Sequence, residues 1–257
     1  MDINLSGKVT VVTGGTEGIG LAIAETFAKA GADVAICSRS TNKVNDAKKY
    51  LKDQGYEVLG ESVDVSQKDS LHDFAQNVEN KYGGIDIWVN NAGIIVYKKI
   101  IDTTDDEWQQ IMNINVNSVF YGSKIAAEMM IKRGGGVLIN ASSFASIMPS
   151  LGGGAYAATK AAISSMTRSL AAELAPHNIR VNGYIPGVIV TKMTEPGLKE
   201  KKHVLESQLA MQKTGEPQDV ANAVLFIASD KASYITGTCI EVSGGKFCVQ
   251  NPQDAWS

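Results

Sequence analysis

The sequence predicts an α/β fold, a doubly wound sheet of about seven parallel strands flanked by helices, and three observations carry that expectation. Short β-branched runs alternate with segments of helical period along all 257 residues. The first such run ends in a glycine cluster that opens directly into a helix. No Pro/Ser-rich linker, repeat or low-complexity tract divides the chain, so one domain over 1–257 is expected.

Taken in order, Lys8–Thr13 (KVTVVT) reads as a strand, and Ile19, Ile23 and Phe27 then recur at helical spacing up to Gly31. Asp33–Cys37 (DVAIC) is the next strand, Lys43–Gln54 a helix with a polar face, and Glu57–Val63 a third strand. A βαβαβ pattern thus fills the first third. A helix over 67–82 follows, then a strand at Ile85–Val89, a long helix around Trp108–Ile131 and a strand at Gly136–Ala141. Ala155–Ala175 reads as helix, Arg180–Tyr184 as extended, Pro217–Ala228 as helix and Thr238–Val242 as extended. Strands joined by helical crossovers pair in parallel. Gly187 to about Gly215 shows no clear period, and such an insertion in a compact domain is often a lid, expected here at 188–213. Its charge run Leu198–His203 (LKEKKH) reads as a solvated helical face.

With 44% hydrophobic and 20% charged residues the chain has ample material for a core. A net charge of −3 lacks the cationic excess that nucleic acid or an anionic membrane requires, so neither partner is expected. Cys37, Cys239 and Cys248 are odd in number and scattered, with no CxxC and no clustered histidines, so no disulfide framework and no metal site are indicated. His72, His177 and His203 are isolated, and no GxSxG elbow or carboxylate pair appears, which disfavours hydrolases and metalloenzymes. Met1–Thr10 lacks the pattern of a signal peptide, and no apolar run approaches the roughly 18 residues of a membrane span, so a cytoplasmic location is expected.

Thr13–Gly20 (TGGTEGIG) sits where the first strand meets the first helix, where glycines let backbone N–H groups and the helix's positive end approach a pyrophosphate. Tyr156 and Lys160 stand four apart on a predicted helix and project from one face. A phenol of pKa about 10 is a poor acid or base at neutral pH, and a nearby ammonium is expected to bring it toward working pH. Ser143 follows the fifth strand, at the carboxyl end of the sheet where open α/β folds bind ligands. Ser142 is the adjacent alternative, on the opposite face of an extended segment.

The loop spacing is TGxxxGxG and not the GxGxxG of the Rossmann fingerprint, and it resembles the dinucleotide loop of the short-chain dehydrogenase/reductase family. The resemblance covers nearly the whole chain, through Asp64-Val65, Asn90-Asn91-Ala92-Gly93, Asn115, Ser143, Tyr156, Lys160 and Pro186-Gly187 in that order. It implies a Rossmann-like fold and a nicotinamide dinucleotide, with Gly14, Thr16, Glu17, Gly18, Ile19 and Gly20 along the loop. Asp64, Val65, Asn91, Gly93, Pro186 and Gly187 would also contact the cofactor, with Ile189 and Thr191 on the carboxamide and Lys160 beside Tyr156 on the ribose. The serine thirteen positions before Tyr156 matches the family's active serine, which selects Ser143 to hold the substrate oxygen. Asn115 would hold a water through its backbone and relay protons from Lys160. In reduction, hydride would pass from nicotinamide C4 to a carbonyl carbon while Tyr156 protonates the oxygen.

NAD enzymes of this architecture usually end the second strand on an acidic residue, and Val34–Ser40 (VAICSRS) has none. Arg39 stands there instead, suited to a 2′-phosphate with Ser38 or Ser40 as supporting donors, so NADP(H) is favoured and NAD(H) remains possible. Glu17 opposes that reading, because many NADP(H) members carry a base in the loop; it would either lie outward or pair with Arg39. Ser243 replaces a frequent aspartate, with a structural effect only.

By resemblance the substrate faces Ile94–Tyr97, Ile95 among them, Phe144–Met148, Tyr184 and Val188–Met193. These are mostly apolar and imply a hydrophobic small-molecule ketone or secondary alcohol, such as a hydroxysteroid or cyclic ketone. A 3-oxoacyl-carrier-protein reductase is the alternative, with Lys132-Arg133 meeting an acidic carrier; the plainer reading is a helix C-terminus favoured by cations. Enoyl reductases of the wider family space the Tyr and Lys further apart. A non-catalytic NADP(H)-binding regulator is the reading from another class. The family assembles through helices matching 107–131 and 155–175, which implies a homotetramer or homodimer, and the tail Phe247–Ser257 is expected on a neighbour or on the lid.

Overall fold

The β-branched runs do become strands, and the sheet they form fixes where a ligand can enter. The computed structural model describes residues 3–256; Met1 and Asp2, within the stretch read above for a signal-peptide pattern, and Ser257 of the expected domain and tail, lie outside the described residues. The strands are β1 (Val9–Thr13), β2 (Asp33–Ser38), β3 (Leu59–Ser62), β4 (Ile87–Asn90), β5 (Gly136–Ala141), β6 (Ile179–Pro186) and β7 (Cys239–Val242). They pair in parallel throughout, in the order β3-β2-β1-β4-β5-β6-β7. The winding reverses between β1 and β4, and such a switch point parts the crossovers and leaves a crevice at the carboxyl ends of the strands.

Successive residues of β1 feed opposite cores, because strand side chains alternate. Val9 and Val11 join Trp88, Phe74, Ile125, Met130 and Leu138 on one face, under α3 (Lys68–Tyr82), α5 (Ser118–Arg133) and α6 (Gly154–Leu174). Val12 joins Ile23, Phe27, Ile36, Val89 and Val224 on the other, under α1 (Gly18–Lys29), α2 (Thr41–Asp53) and α8 (Pro217–Ala228). No helix of the described residues is long and apolar enough to cross a membrane.

Two features depart from the sequence pattern. The long helix expected around Trp108–Ile131 begins earlier, as α4 (Asp105–Met112), because Thr104 and Glu107 form a reciprocal capping box. A π-helical turn at Asn113–Asn117 then separates α4 from α5, and it carries Asn115. Within the span that showed no period, Glu195–Ser207 forms α7, kinked at Lys201. α7 buries no residue, so no apolar stripe betrayed it, and pairs such as Glu195–Lys199 at 2.7 Å support it instead. The LKEKKH run lies on this exposed helix, as expected.

Between β4, β5 and the helices above them lies a chain of buried amides. Asn90 accepts the Trp88 indole N–H at 2.7 Å and donates to Asn140 at 2.9 Å, and Asn140 donates to Thr167 at 3.0 Å. Gly122 of α5 rests on this chain: a Cβ there would collide with the Asn90 amide oxygen and stand 3.0 Å from the Trp88 nitrogen. Gly122→Ala, which ordinarily raises helix propensity, is therefore expected to destabilise the fold by about 1–3 kcal/mol. Chemical denaturation measures this, and an unchanged or raised midpoint contradicts it.

Candidate active site

Thr13 ends β1 and ties that end to β4. Its hydroxyl donates to the Val89 carbonyl at 3.4 Å and accepts the Asn91 and Ala92 N–H groups at 3.0 and 3.1 Å. Asn91 then braces the glycine loop, donating to the Thr13 carbonyl at 2.9 Å and the Gly14 carbonyl at 3.1 Å. Its remaining oxygen accepts the Tyr184 hydroxyl at 2.9 Å. Gly14 holds φ +65° and a Cβ there would be 2.9 Å from Ala92 Cα, so the loop can lie this close only as glycine. Glu17, at the N-cap of α1, is extended and makes no side-chain cap, which leaves the first-turn N–H groups facing the crevice.

That crevice is a cleft of about 650 Å³. It is lined by Gly14, Thr16, Glu17, Gly18, Ile19 and Gly20 of the loop, by Ser38 and Arg39 at one end, and by Tyr156 and Lys160 at the other. Val65, Asn91, Gly93, Ile95, Tyr184, Thr191 and Met193, all singled out from the sequence, also line it. Asp64, Pro186, Gly187, Ile189, Val188, Ser143, Phe144 and Asn115 do not.

The absences have physical reasons. The Asp64 carboxylate accepts the Ser66 N–H at 3.0 Å and hydroxyl at 2.7 Å, which turns the chain into α3. Gly187 donates to the Val242 carbonyl at 2.9 Å and lies against Ser243, whose Cα a Cβ would meet at 2.7 Å; it prolongs the β6–β7 pairing. Ile189 and Val188 are buried. Asn115 spends its side chain on Ile94, accepting its N–H at 2.8 Å and donating to its carbonyl at 2.9 Å, and reaches Thr159 at 3.1 Å. Thr159 in turn donates to the Tyr156 carbonyl at 2.7 Å, so the Asn115–Thr159 bond ties the π turn to the Tyr156 turn of α6. Tyr184, expected to face substrate, is fully buried with its hydroxyl committed to Asn91, and acts as a strut of the wall.

Of the two serines, Ser142 turns to α6, sharing a 2.6 Å hydrogen bond with Ser164 and donating to the Lys160 carbonyl at 3.2 Å. Ser143 accepts the Ala145 N–H at 3.2 Å, and its hydroxyl is close enough to the Tyr156 phenol to hold that group's pKa down. Lys160 is buried, and its ammonium donates to the Ala141 carbonyl at 2.7 Å, 5.6 Å from the centre of the Tyr156 ring. Burial pushes the phenol up to about 12, only partly offset by Ser143, with Tyr97 adding to the rise. Burial also lowers Lys160 to about 8. The expectation that Lys160 brings the phenol toward neutral pH is thus corrected, because the ammonium is held by Ala141 and lies over the ring, and desolvation outweighs it. Tyr156 is an O–H donor at neutral pH, beside a cation poised to lose its proton just above it.

At the opposite end the expectations for Glu17 are also corrected. Its carboxylate neither points outward nor meets Arg39; it is gripped by Lys43 of α2 at 2.9 Å and Lys192 at 3.4 Å. The Lys43 hydrogen bond, ahead of burial and Lys192, holds Glu17 below the usual carboxylate range. Three cations, Arg39, Lys43 and Lys192, thus line this end of the cleft, and two of them are paired with the one carboxylate there. Lys43 and Lys192 were missed in the sequence because lysines on polar segments read as solvated. The tail docks on the same chain: the Trp256 indole donates to the Ala210 carbonyl at 3.1 Å.

The family model described as Enoyl-(Acyl carrier protein) reductase matches residues 14–246. The chain is 38% identical over 248 residues to the 3-oxoacyl-[acyl-carrier-protein] reductase FabG of Aquifex aeolicus, covering 96% of this chain and 100% of that one. It is 39% identical over 251 residues to the 3alpha-hydroxysteroid dehydrogenase of Mediterraneibacter gnavus, covering 95% and 98%. Among solved structures, a short-chain type dehydrogenase/reductase from Mycobacterium marinum superposes with a TM-score of 0.92 at 34% identity, covering 96% and 98%. A 7α-hydroxysteroid dehydrogenase complexed with NADH and 7-oxo glycochenodeoxycholic acid does so at 0.90 and 34%, covering 95% and 96%. Similarity that runs from the glycine loop through the Tyr156 helix to the last strand makes the chain an oxidoreductase of the short-chain dehydrogenase/reductase family.

Proposed function

We propose that the protein interconverts an apolar ketone and its secondary alcohol with NADP(H). The observation that carries the reading is the pairing of a half-buried O–H donor, Tyr156 with Ser143 and Lys160, at one end of a cleft whose other end gathers Arg39, Lys43 and Lys192. The cleft fits a nicotinamide dinucleotide. A Cβ on Gly93 would come within 3.3 Å of Asn115 and 3.6 Å of Lys160, so glycine keeps this wall uncrowded, and the loop offers backbone N–H groups where a pyrophosphate would lie. When bound, the nicotinamide supplies or accepts the hydride.

The chain's own residues handle the oxygen. Ser143 holds the carbonyl oxygen and Tyr156 donates its proton as negative charge develops there. Lys160 keeps positive charge beside the phenol, and Asn115, through Thr159, holds Tyr156 in place. The 2′-phosphate would meet Arg39 and Lys43, with Glu17 neutralised by its two lysines. NAD(H) use is the competing outcome.

Apolar lining favours a hydrophobic substrate: Ile94, Ile95 and Met193 line the cleft, and nearby Tyr97, Ile147 and Met148 are exposed. A carrier-bound acyl substrate is favoured by the named relatives. Against it, one of the two cations read as a carrier dock is already engaged: Arg133 binds Asp86 at 2.9 Å and the Gly83 carbonyl at 2.9 Å. We favour a free small molecule on that ground.

Three outcomes test the reading. Tyr156→Phe should lower kcat about 10²–10⁴-fold with NADPH binding retained, measured by absorbance at the nicotinamide band and by fluorescence titration; near-full turnover would remove the mechanism. Because Lys160 sits at about 8 and the phenol at about 12, reduction should decline as pH rises through about 8, when the lysine loses its charge; a plateau held to pH 10 would exclude that role. Arg39→Ala and Lys43→Ala should each raise KM for NADPH roughly tenfold or more and leave NADH unaffected; equal effects on both cofactors would refute the 2′-phosphate assignment.

A further inference from the structure

The turn after β7 places a lysine where the site described above has no use for one. Gly244 and Gly245, at φ +63° and +78°, reverse the chain, and the Ser243 hydroxyl accepts the Lys246 N–H at 3.3 Å. A Cβ on Gly245 would stand 2.7 Å from Ala210 Cβ, so the turn is pressed against the end of the segment that follows α7. Lys246 emerges half-buried with its ammonium 6.0 Å from the centre of the Phe144 ring. Phe144 directly follows Ser143, which touches the Tyr156 phenol.

The surroundings of this cation are neutral. Its ammonium donates to the Gln208 amide oxygen at 2.6 Å, and it enters none of the ion pairs among the described residues. Burial lowers its pKa, as desolvation without an anion must. A partly buried charge held by an aromatic face and one neutral oxygen lacks the partner that would offset its desolvation. The Gln208 amide N–H groups beside it appear in no hydrogen bond among the described residues. One ammonium and one amide N–H match the two oxygens of a carboxylate, whereas no guanidinium is present to fork onto a phosphate.

We propose that Lys246 and Gln208 bind the carboxylate of the substrate, whose carbonyl lies on Tyr156 and whose apolar body passes Phe144, so that the substrate is an apolar keto acid and not a neutral ketone. This rests on the ketone-reductase reading above and adds the chemical class of the far end.

The test uses the full-length protein and matched pairs. Kinetics are compared for apolar ketones bearing a distal carboxylate and for their methyl esters, in the parent protein, Lys246→Met and Lys246→Arg. The parent should favour the acid about tenfold in KM, as expected for a hydrogen bond to a charged group. Lys246→Met should lose that preference while turning over the ester unchanged, and Lys246→Arg should keep it. A preference unchanged in Lys246→Met, or none in the parent while both ketones are reduced, overturns the carboxylate site and leaves the reductase reading standing. Calorimetric binding of decanoate, decanol and decyl phosphate gives a readout without turnover. Decanoate should bind most tightly and weaken about tenfold in Lys246→Met; if it does so while no ketone is reduced, the site stands and the reductase reading fails. Tighter binding of decyl phosphate, or equal binding of decanol, overturns the carboxylate assignment.

Discussion

Asn91 holds the functional edge together. One amide, at the end of β4, fastens the end of β1 through Thr13 and the glycine loop through Gly14, and accepts Tyr184 from β6. Because the sheet winding reverses between β1 and β4, helical crossovers do not cover this junction, and side-chain bonds must close it. The fit leaves no slack: a Cβ on Gly20 would collide with both the Gly14 carbonyl and the Asn91 amide. The glycines of the loop thus serve packing against Asn91 as much as they serve backbone approach to a ligand. Asn91, which by resemblance would contact a cofactor, lines the cleft and braces the loop that forms its wall.

From that brace the cleft runs to two electrostatically opposite ends. At the Tyr156 end desolvation governs, raising a phenol and lowering an ammonium at once. The resulting order, with lysine losing its proton before tyrosine, sets which form each takes near neutrality. At the Arg39 end solvent remains, and charge is arranged by pairing, so Glu17 is bridged by two lysines from different segments. Those bridges join the loop, α2 and the segment that leads into α7, although each pair is exposed enough to contribute only modestly to stability.

The π turn shows how local irregularity serves the site. Widening the helix at Asn113–Asn117 lets Asn115 turn its whole amide to the Ile94 backbone and to Thr159. The wall segment after β4, the long helix and the Tyr156 helix are thereby locked to one another through a single buried side chain.

Sequence alone determined the seven strands, their parallel pairing, the glycine loop between β1 and α1, and the Tyr156–Lys160 pair, since alternation, period and i,i+4 spacing are local signals. It also expected Ser143 and Ser142 to point to opposite faces, as adjacent residues of an extended segment do, and Ser142 does turn to α6. Only the tertiary structure decided the rest. α7 has no buried stripe to announce it, and the π turn exists for contacts to Ile94 and Thr159, which lie 21 and 44 residues away from Asn115. The partners of Glu17 and the neutral shell around Lys246 come from segments distant in the chain, and a lysine's sequence carries no mark of whether its charge will meet solvent, an anion or an aromatic ring. Protonation behaviour is decided there too, because desolvation depends on what surrounds a group in space and not on its neighbours along the chain.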